Sequence, residues 1–291
     1  VSLELHRYVV FAPEGNPLGG KRFALMDQPV PPENRPDIAR SSGAPITVFV
    51  GERSGSSVHV RFFNASGTEK SESDSGALVV AHHVGLGCRV VAPGGSLEIT
   101  FEHDLCWTAQ GDHHIVPLEM TESVWLEALG LGAHDLEPLH NILAAGHAEK
   151  QNVVVPVRFD ALDAVKPNFG RVAELNRQTN TNGVILACFD SPRANLDYRF
   201  FAPAKGIQED NAGSNTLASL CGYRAAYTGS GVYDLMAAQG FAMGRPSSLR
   251  VRYFVRDSVA LSVRVGGHVM RLENTVLDGQ LEQIRVRNGV V

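Results

Sequence analysis

Short alternating runs of hydrophobic and polar residues dominate the chain. LELHRYVVF (3–11), PITVFVGE (45–52), SSVHVRFF (56–63), GSLEITFE (95–102) and QNVVVPVRF (151–159) are short and rich in β-branched residues. So are NGVILACFD (182–190), LDYRFFAP (196–203), SLRVRYFV (248–255), SVALSVRVGGHVMRL (258–272) and EQIRVRN (282–288). This is the pattern of strands with a buried face. Helical spacing is rarer and predicts helices over 76–84, 122–129, 167–178, 216–228 and 232–239. Within 167–178, Phe169, Val172 and Leu175 share a face, and an Asn/Gly-rich stretch follows as a stop. Strands, one helix, more strands, then the same again predict an α+β fold with antiparallel sheets. No GxGxxG or Walker motif is present, which argues against a βαβ nucleotide fold.

The succession repeats. Residues 61–85, RFFNASGTEKSESDSGALVVAHHVG, align without a gap with residues 199–223, RFFAPAKGIQEDNAGSNTLASLCGY, at an offset of 138. Each stretch opens with Arg-Phe-Phe at a strand end, passes an acidic loop and enters an apolar helix through Ser and Gly. Two halves, 1–148 and 149–291, are therefore expected, each a sheet wrapped around one buried helix. The start of a helix leaves N–H groups unpaired and carries partial positive charge, so it suits an anion. Small residues there (Gly76, Gly213, Ser214, Asn215) let a ligand approach the backbone. Asp210, just before the second helix, is read either as a cap or as a proton-transfer group.

Composition narrows the class. With 44% hydrophobic and 20% charged residues, the 291-residue chain reads as globular. A net charge of −5 gives no reason to expect nucleic acid or an anionic membrane as partner. No apolar run is long enough to span a bilayer, and the N-terminus reads as a first strand, so a cytoplasmic protein is expected. The four cysteines fit no zinc spacing and read as reduced, buried thiols. No metal is expected: His113 and His114, adjacent on a strand, point to opposite faces and cannot chelate together. His82 and His83, two turns into the first helix, are read as packing residues.

Several motifs together resemble the phenazine-biosynthesis PhzF family of isomerases, which share the diaminopimelate-epimerase fold. EDNAGSNTLASLCGY (209–223) is similar to the family's EDPATGSAxGxLGxY, and YRFFAP precedes it as usual. AAQGFAMGRPS (237–247) is similar to EQGxxMGRPS, and VRVGGHV (263–269) to VxVGGxxV. FAPEGNPLGG (11–20) looks like FTxxPFxGNPxAV. The resemblance implies two pseudo-symmetric halves, each a barrel-like, mostly antiparallel sheet around a central helix. It implies a site in the cleft between them, no cofactor, a homodimer, and proton transfer by carboxylates on a small carboxylate-bearing substrate. By the same resemblance Asp210 matches the signature Asp, and Gly213, Ser214 and Asn215 match its Thr-Gly-Ser. Asn16 and Pro17 match the Asn-Pro of GNP, while Gly244, Arg245, Pro246, Gly266 and Gly267 are retained.

Two departures matter. PITVFV looks like the family's SETTFV strand, but Ile46 stands where that strand has its catalytic Glu, and isoleucine cannot move a proton. The first-half Gly-His signature falls on Asp74 and Ser75, followed by Gly76. A carboxylate lost at 46 and one gained at 74 suggest Asp210 and Asp74 as the acid/base pair. Asn16, Ile46, Ser75, Gly76, Gly213, Ser214 and Asn215 are then expected to line the substrate. The expected function is a cofactor-independent isomerase shifting a proton, and so a double bond, in a small conjugated amino or imino acid of specialised (antibiotic) metabolism. The alternatives are a non-catalytic anion-binding homologue, favoured by Ile46, or an epimerase, cyclase or lyase on the same fold.

Overall fold

The computed structural model describes residues 3–147 and 150–277. The first elements are β1 (Leu3–Val10), β2 (Lys21–Met26), α1 (Arg35–Ser41), β3 (Ile46–Ser54), β4 (Ser57–Asn64), β5 (Glu69–Lys70), α2 (Asp74–Val84), β6 (Cys88–Ala92), β7 (Gly95–Glu102) and β8 (Leu105–Val116). Then come α3 (Glu122–Leu129), β9 (Leu143–His147), β10 (Lys150–Pro156), α4 (Phe159–Ala164), α5 (Phe169–Gln178), β11 (Val184–Cys188), β12 (Leu196–Ala202) and β13 (Ile207–Asp210). The last are α6 (Ser214–Ala225), β14 (Gly231–Gln239), β15 (Ser247–Arg256), β16 (Val259–Arg271) and β17 (Thr275–Leu277). This is the expected α+β class, with mostly antiparallel ladders.

The described residues form two compact units, 3–17 with 21–108 and 267–277, and 18–20 with 109–147 and 150–266. The expected junction at 148/149 falls on residues outside the described set, as does the expected strand 282–288. The first unit takes in the C-terminal strands because β1 pairs antiparallel with β17 and with the end of β16, Tyr8 opposite Arg271 and Val10 opposite Val269.

In the first unit β1 pairs with β2, β2 runs parallel to β3, β3 pairs antiparallel with β4, and β4 runs parallel to β6. Helix α2 lies against β1, β2, β3, β6 and β7, and residues 75–81 are all buried. In the second unit β10 runs parallel to β11 and β12 parallel to β14, with antiparallel pairing of β11 with β12 and of β14 with β15. Helix α6 lies against β9, β10, β11 and β15, and all of it but Asn215 and Arg224 is buried. The apolar residues of both helices, Leu78, Val79 and Val80 of α2 and Leu217 and Leu220 of α6, are buried by this enclosure, and each fully buried Leu contributes roughly 1.5–3 kcal/mol. The sequence repeat corresponds to one succession in each unit: β4, β5, α2, β6 and β12, β13, α6, β14.

Residues 232–239 are not a helix. They lie in β14, in register with β15 from Gly231 opposite Val255 to Gln239 opposite Ser247. Val232, Asp234 and Met236 are exposed while Tyr233 and Leu235 are partly covered, a period of two. Leu, Met and two Ala favour helix locally, and cross-strand pairing overrides that preference. Strands β2, β5, β6, β8, β9, β13 and β17 and the short helices α1 and α4 carry no signal strong enough to be expected.

Candidate active site

In the second unit the site begins with Arg199 of β12. Its Nε and Nη2 donate to Glu209 Oε1 and Oε2, each at 2.9 Å. Its Nη1 donates to the carbonyls of Leu162 and Val165, each at 3.0 Å, and the group lies over the Phe201 ring. A bidentate pair this buried leaves little freedom to its backbone. Strand β13 is thereby fixed, and Asp210 is its last residue.

The turn from Asp210 to Gly213 is held by Gln239, a fully buried residue at the end of β14. Its Nε2 donates to the Asp210 carbonyl at 2.6 Å, and its Oε1 accepts from Gly213 N–H at 3.1 Å. Asn211 Nδ2 donates to the Gly20 carbonyl at 2.6 Å. Gly240, at φ 80°, leaves room for Asn211: a Cβ there would lie 2.9 Å from Asn211 Cβ. Tyr198 donates its hydroxyl to the Gly213 carbonyl at 3.4 Å. Burial first, and the Asp210 carboxylate second, keep that phenol protonated by raising its pKa well above the ordinary value. The 237–247 motif therefore acts through Gln239 and Gly240 as a clamp on this turn.

Helix α6 then starts without a side-chain cap, because its N-cap is Gly213. Its first intrahelical bond runs from Leu217 N–H to the Gly213 carbonyl at 3.1 Å, so Ser214, Asn215 and Thr216 have no N–H acceptor within the helix. Ser214 is 2% exposed, and its Oγ has no hydrogen-bond partner among the described residues. The Asp210 carboxylate turns toward this start, since a Cβ on Gly213 would lie 3.6 Å from Asp210 Oδ2. Uncapped donors, a buried hydroxyl without a partner and an adjacent carboxylate suit an anionic ligand whose proton moves. Asp210, Gly213, Ser214 and Asn215 lie together at this turn and helix start.

The first unit builds its helix start differently. Ser73 caps α2, its Oγ accepting from Gly76 N–H at 3.1 Å. Asp74 occupies the first turn, where a negative charge is favoured by the helix dipole. Ser75 and Gly76 are buried, and a Cβ on Gly76 would lie 2.7 Å from Phe62 Cε1. Ile46 begins β3, buried, opposite Asn64 of β4 and beside Phe23 of β2. Asn16 sits in the turn after β1, half-buried, its N–H donating to the Pro13 carbonyl at 3.0 Å.

The remaining candidates are structural. All four cysteines are buried and unbonded, and burial raises the Cys106 thiol to about 12. His113 is fully buried and His114 exposed, as opposite faces of β8 require. No helix among the described residues is long and apolar enough to cross a membrane. Sequence reasoning missed Gln239, although it lies inside a quoted motif. Its role depends on a turn 26 residues away in sequence from the Gly213 N–H that it accepts.

Comparisons with known proteins show what the chain is similar to. The family described as "Phenazine biosynthesis-like protein" (PhzC-PhzF) matches residues 114–274, more than half of the chain. An uncharacterized isomerase, YddE, of Escherichia coli O157:H7 is 29% identical over 251 residues, covering 79% of this chain and 83% of the relative. The crystal structure of a phenazine biosynthesis protein of the PhzF family from Bacillus anthracis superposes with a TM-score of 0.82 at 16% identity, covering 95% of this chain and 99% of that one. A predicted epimerase from Pseudomonas aeruginosa gives 0.74 at 20% identity, with 95% and 99% covered. With the family matched over both the Asp210–Asn215 turn and the motif that clamps it, the chain belongs to the phenazine biosynthesis-like PhzC-PhzF family.

Proposed function

We propose that the protein is a cofactor-independent isomerase that moves a proton, and with it a double bond, in a small conjugated amino or imino acid. The substrate carboxylate is held at the start of α6 by backbone N–H groups and Ser214, and Asp210 transfers the proton. Asp74 serves as the second carboxylate, replacing the glutamate absent at Ile46. The observation that carries this reading is the α6 start, which has no side-chain cap, with a Ser214 hydroxyl that has no hydrogen-bond partner among the described residues, beside Asp210. The names of the relatives, an isomerase and a predicted epimerase, support the same reaction class. Pseudo-symmetric halves, a homodimer and a setting in specialised metabolism belong to this reading; light scattering tests the dimer.

The test is deuterium incorporation in D₂O from a panel of small unsaturated amino and imino acids. Wild type is expected to exchange, and Asp210→Asn and Asp74→Asn to lose exchange by about 10²-fold or more. Loss in Asp210→Asn alone removes Asp74 from the mechanism. A second reading, a non-catalytic anion-binding homologue, is favoured by Ile46. It predicts saturable binding of the same acids without exchange.

A further inference from the structure

A second cluster lies at the opposite end of α2 from Asp74. His83, in the last turn, is nine residues from Asp74 in sequence, which a rise of 1.5 Å per residue turns into about 13 Å along the helix. There His6 of β1, Asp27 just after β2 and His83 converge, each offering one ligand atom within 4.8 Å of the others. His6 Nε2 is 3.2 Å from Asp27 Oδ1, and His83 Nε2 is 3.2 Å from Asp27 Oδ2. Both imidazoles present the same nitrogen to the same carboxylate, and their ring centroids are 5.0 Å apart. Both are largely shielded, each side chain 10% exposed, while Asp27 at 36% leaves an approach from solvent.

We propose that His6, Asp27 and His83 form a binding site for a divalent first-row metal ion of the Zn²⁺ type, a clamp joining β1, the end of β2 and the last turn of α2. Such ions take imidazole nitrogen and carboxylate oxygen at about 2.0–2.2 Å. Ligand atoms around one ion therefore sit about 3–4 Å apart, which these groups reach with small side-chain rotations. Two imidazoles and one carboxylate suit Zn²⁺ and its neighbours rather than Mg²⁺ or Ca²⁺, which prefer all-oxygen sets. The outer hydrogen bond that a metal-bound imidazole characteristically makes is present for His83: the Tyr8 hydroxyl lies 2.8 Å from its Nδ1 and can accept the ring proton. His6 has a competitor instead. Arg271 donates to its Nδ1 at 2.9 Å, which places the ring proton on Nε2. Metal binding at Nε2 needs the other tautomer: the ring proton moves by solvent exchange to Nδ1, which then no longer accepts from the exposed guanidinium, for which Asn274 Oδ1, at 3.5 Å, is an alternative acceptor. Removing Arg271 therefore strengthens the site.

The test uses the full chain, stripped with a chelator and titrated with Zn²⁺ by calorimetry and thermal melting. One ion per chain and a rise in melting temperature are expected. Asp27→Asn and His83→Gln weaken binding by at least about tenfold, His82→Ala leaves it unchanged, and Arg271→Ala tightens it. X-ray absorption on the zinc-loaded native chain needs no variant to fold, and shows two imidazoles and oxygen without sulfur. Absence of saturable uptake by the native chain, sulfur in the coordination shell, or uptake unaltered by Asp27→Asn and His83→Gln overturns the proposal.

Discussion

One side chain, Gln239, holds both ends of the turn that carries the candidate base, donating to the Asp210 carbonyl at 2.6 Å and accepting from Gly213 N–H at 3.1 Å. Gln239→Leu keeps the volume and strands both backbone groups in a buried place. A buried polar group left unpaired costs about 1–3 kcal/mol. Urea denaturation should show a loss of about 2 kcal/mol or more, with slower deuterium exchange. Gln239→Glu should retain the Gly213 bond but place a carboxylate oxygen against the Asp210 carbonyl, so it should not restore wild-type stability.

The two arginines of the repeat should behave unequally. Arg199 is 8% exposed and satisfies Glu209 and two carbonyls, whereas Arg61 meets Glu69 at 3.2 Å with both side chains about half exposed. Arg199→Ala leaves the mostly covered Glu209 carboxylate and two carbonyls without their donor and should cost about 3 kcal/mol. Arg61→Ala should cost less than about 1 kcal/mol. Denaturation midpoints for the two variants, measured side by side, decide the matter; equal losses would refute the distinction.

The glycines at the two helix starts should differ as well. At Gly76 a methyl group meets the buried Phe62 ring at 2.7 Å, so Gly76→Ala should destabilise by about 1–3 kcal/mol. At Gly213 the nearest atom is Thr216 Oγ1 at 2.9 Å, the movable end of a side chain, and φ is −146°. Gly213→Ala should therefore leave the melting temperature nearly unchanged while weakening ligand binding at the α6 start.

Stability should fall in mild acid through His113. Burial is the main cause that pushes its pKa to about 4, partly offset by the bond from Nε2 to the Gln110 carbonyl. The neighbouring His147 and His114 push the same way as burial, and Asp112 opposes them. An unfolded histidine titrates near 6.5, so between that value and about 4 the unfolded chain binds the extra proton. The contribution is complete above pH 6.5 and is lost as pH falls toward 4, on the order of 3 kcal/mol. Denaturation at pH 7 and 4.5 should show this slope in wild type and a shallower one in His113→Gln.

The α+β class, two central helices and the Asp210–Asn215 turn could be read from the chain because each has a local signature. The Arg-Phe-Phe repeat marked the strand before each helix, and Gly213-Ser214 marked an open helix start. The failures were of other kinds. VYDLMAAQ reads as helix because its Leu, Met and Ala favour helix in isolation, while eight pairs with β15 make it a strand. Gln239 and the His6–Asp27–His83 cluster were invisible because their partners are far apart in sequence. Only the packing of α2 on the β1–β2 pair brings residues 6, 27 and 83 together.

The pairing of β1 with residues 269–271 of β16 also orders events during synthesis. The ladder of the first unit needs a strand made more than 250 residues later. The second unit, by contrast, is complete in sequence at residue 266. On the ribosome the later-encoded unit can therefore finish first, while the edge of β1 waits with its N–H and C=O groups unpaired. Long-range closure of this kind slows folding, and a waiting edge strand invites pairing with other chains. Expression yield should accordingly be more sensitive to mutations in residues 269–271 than to equally buried changes within β14 and β15.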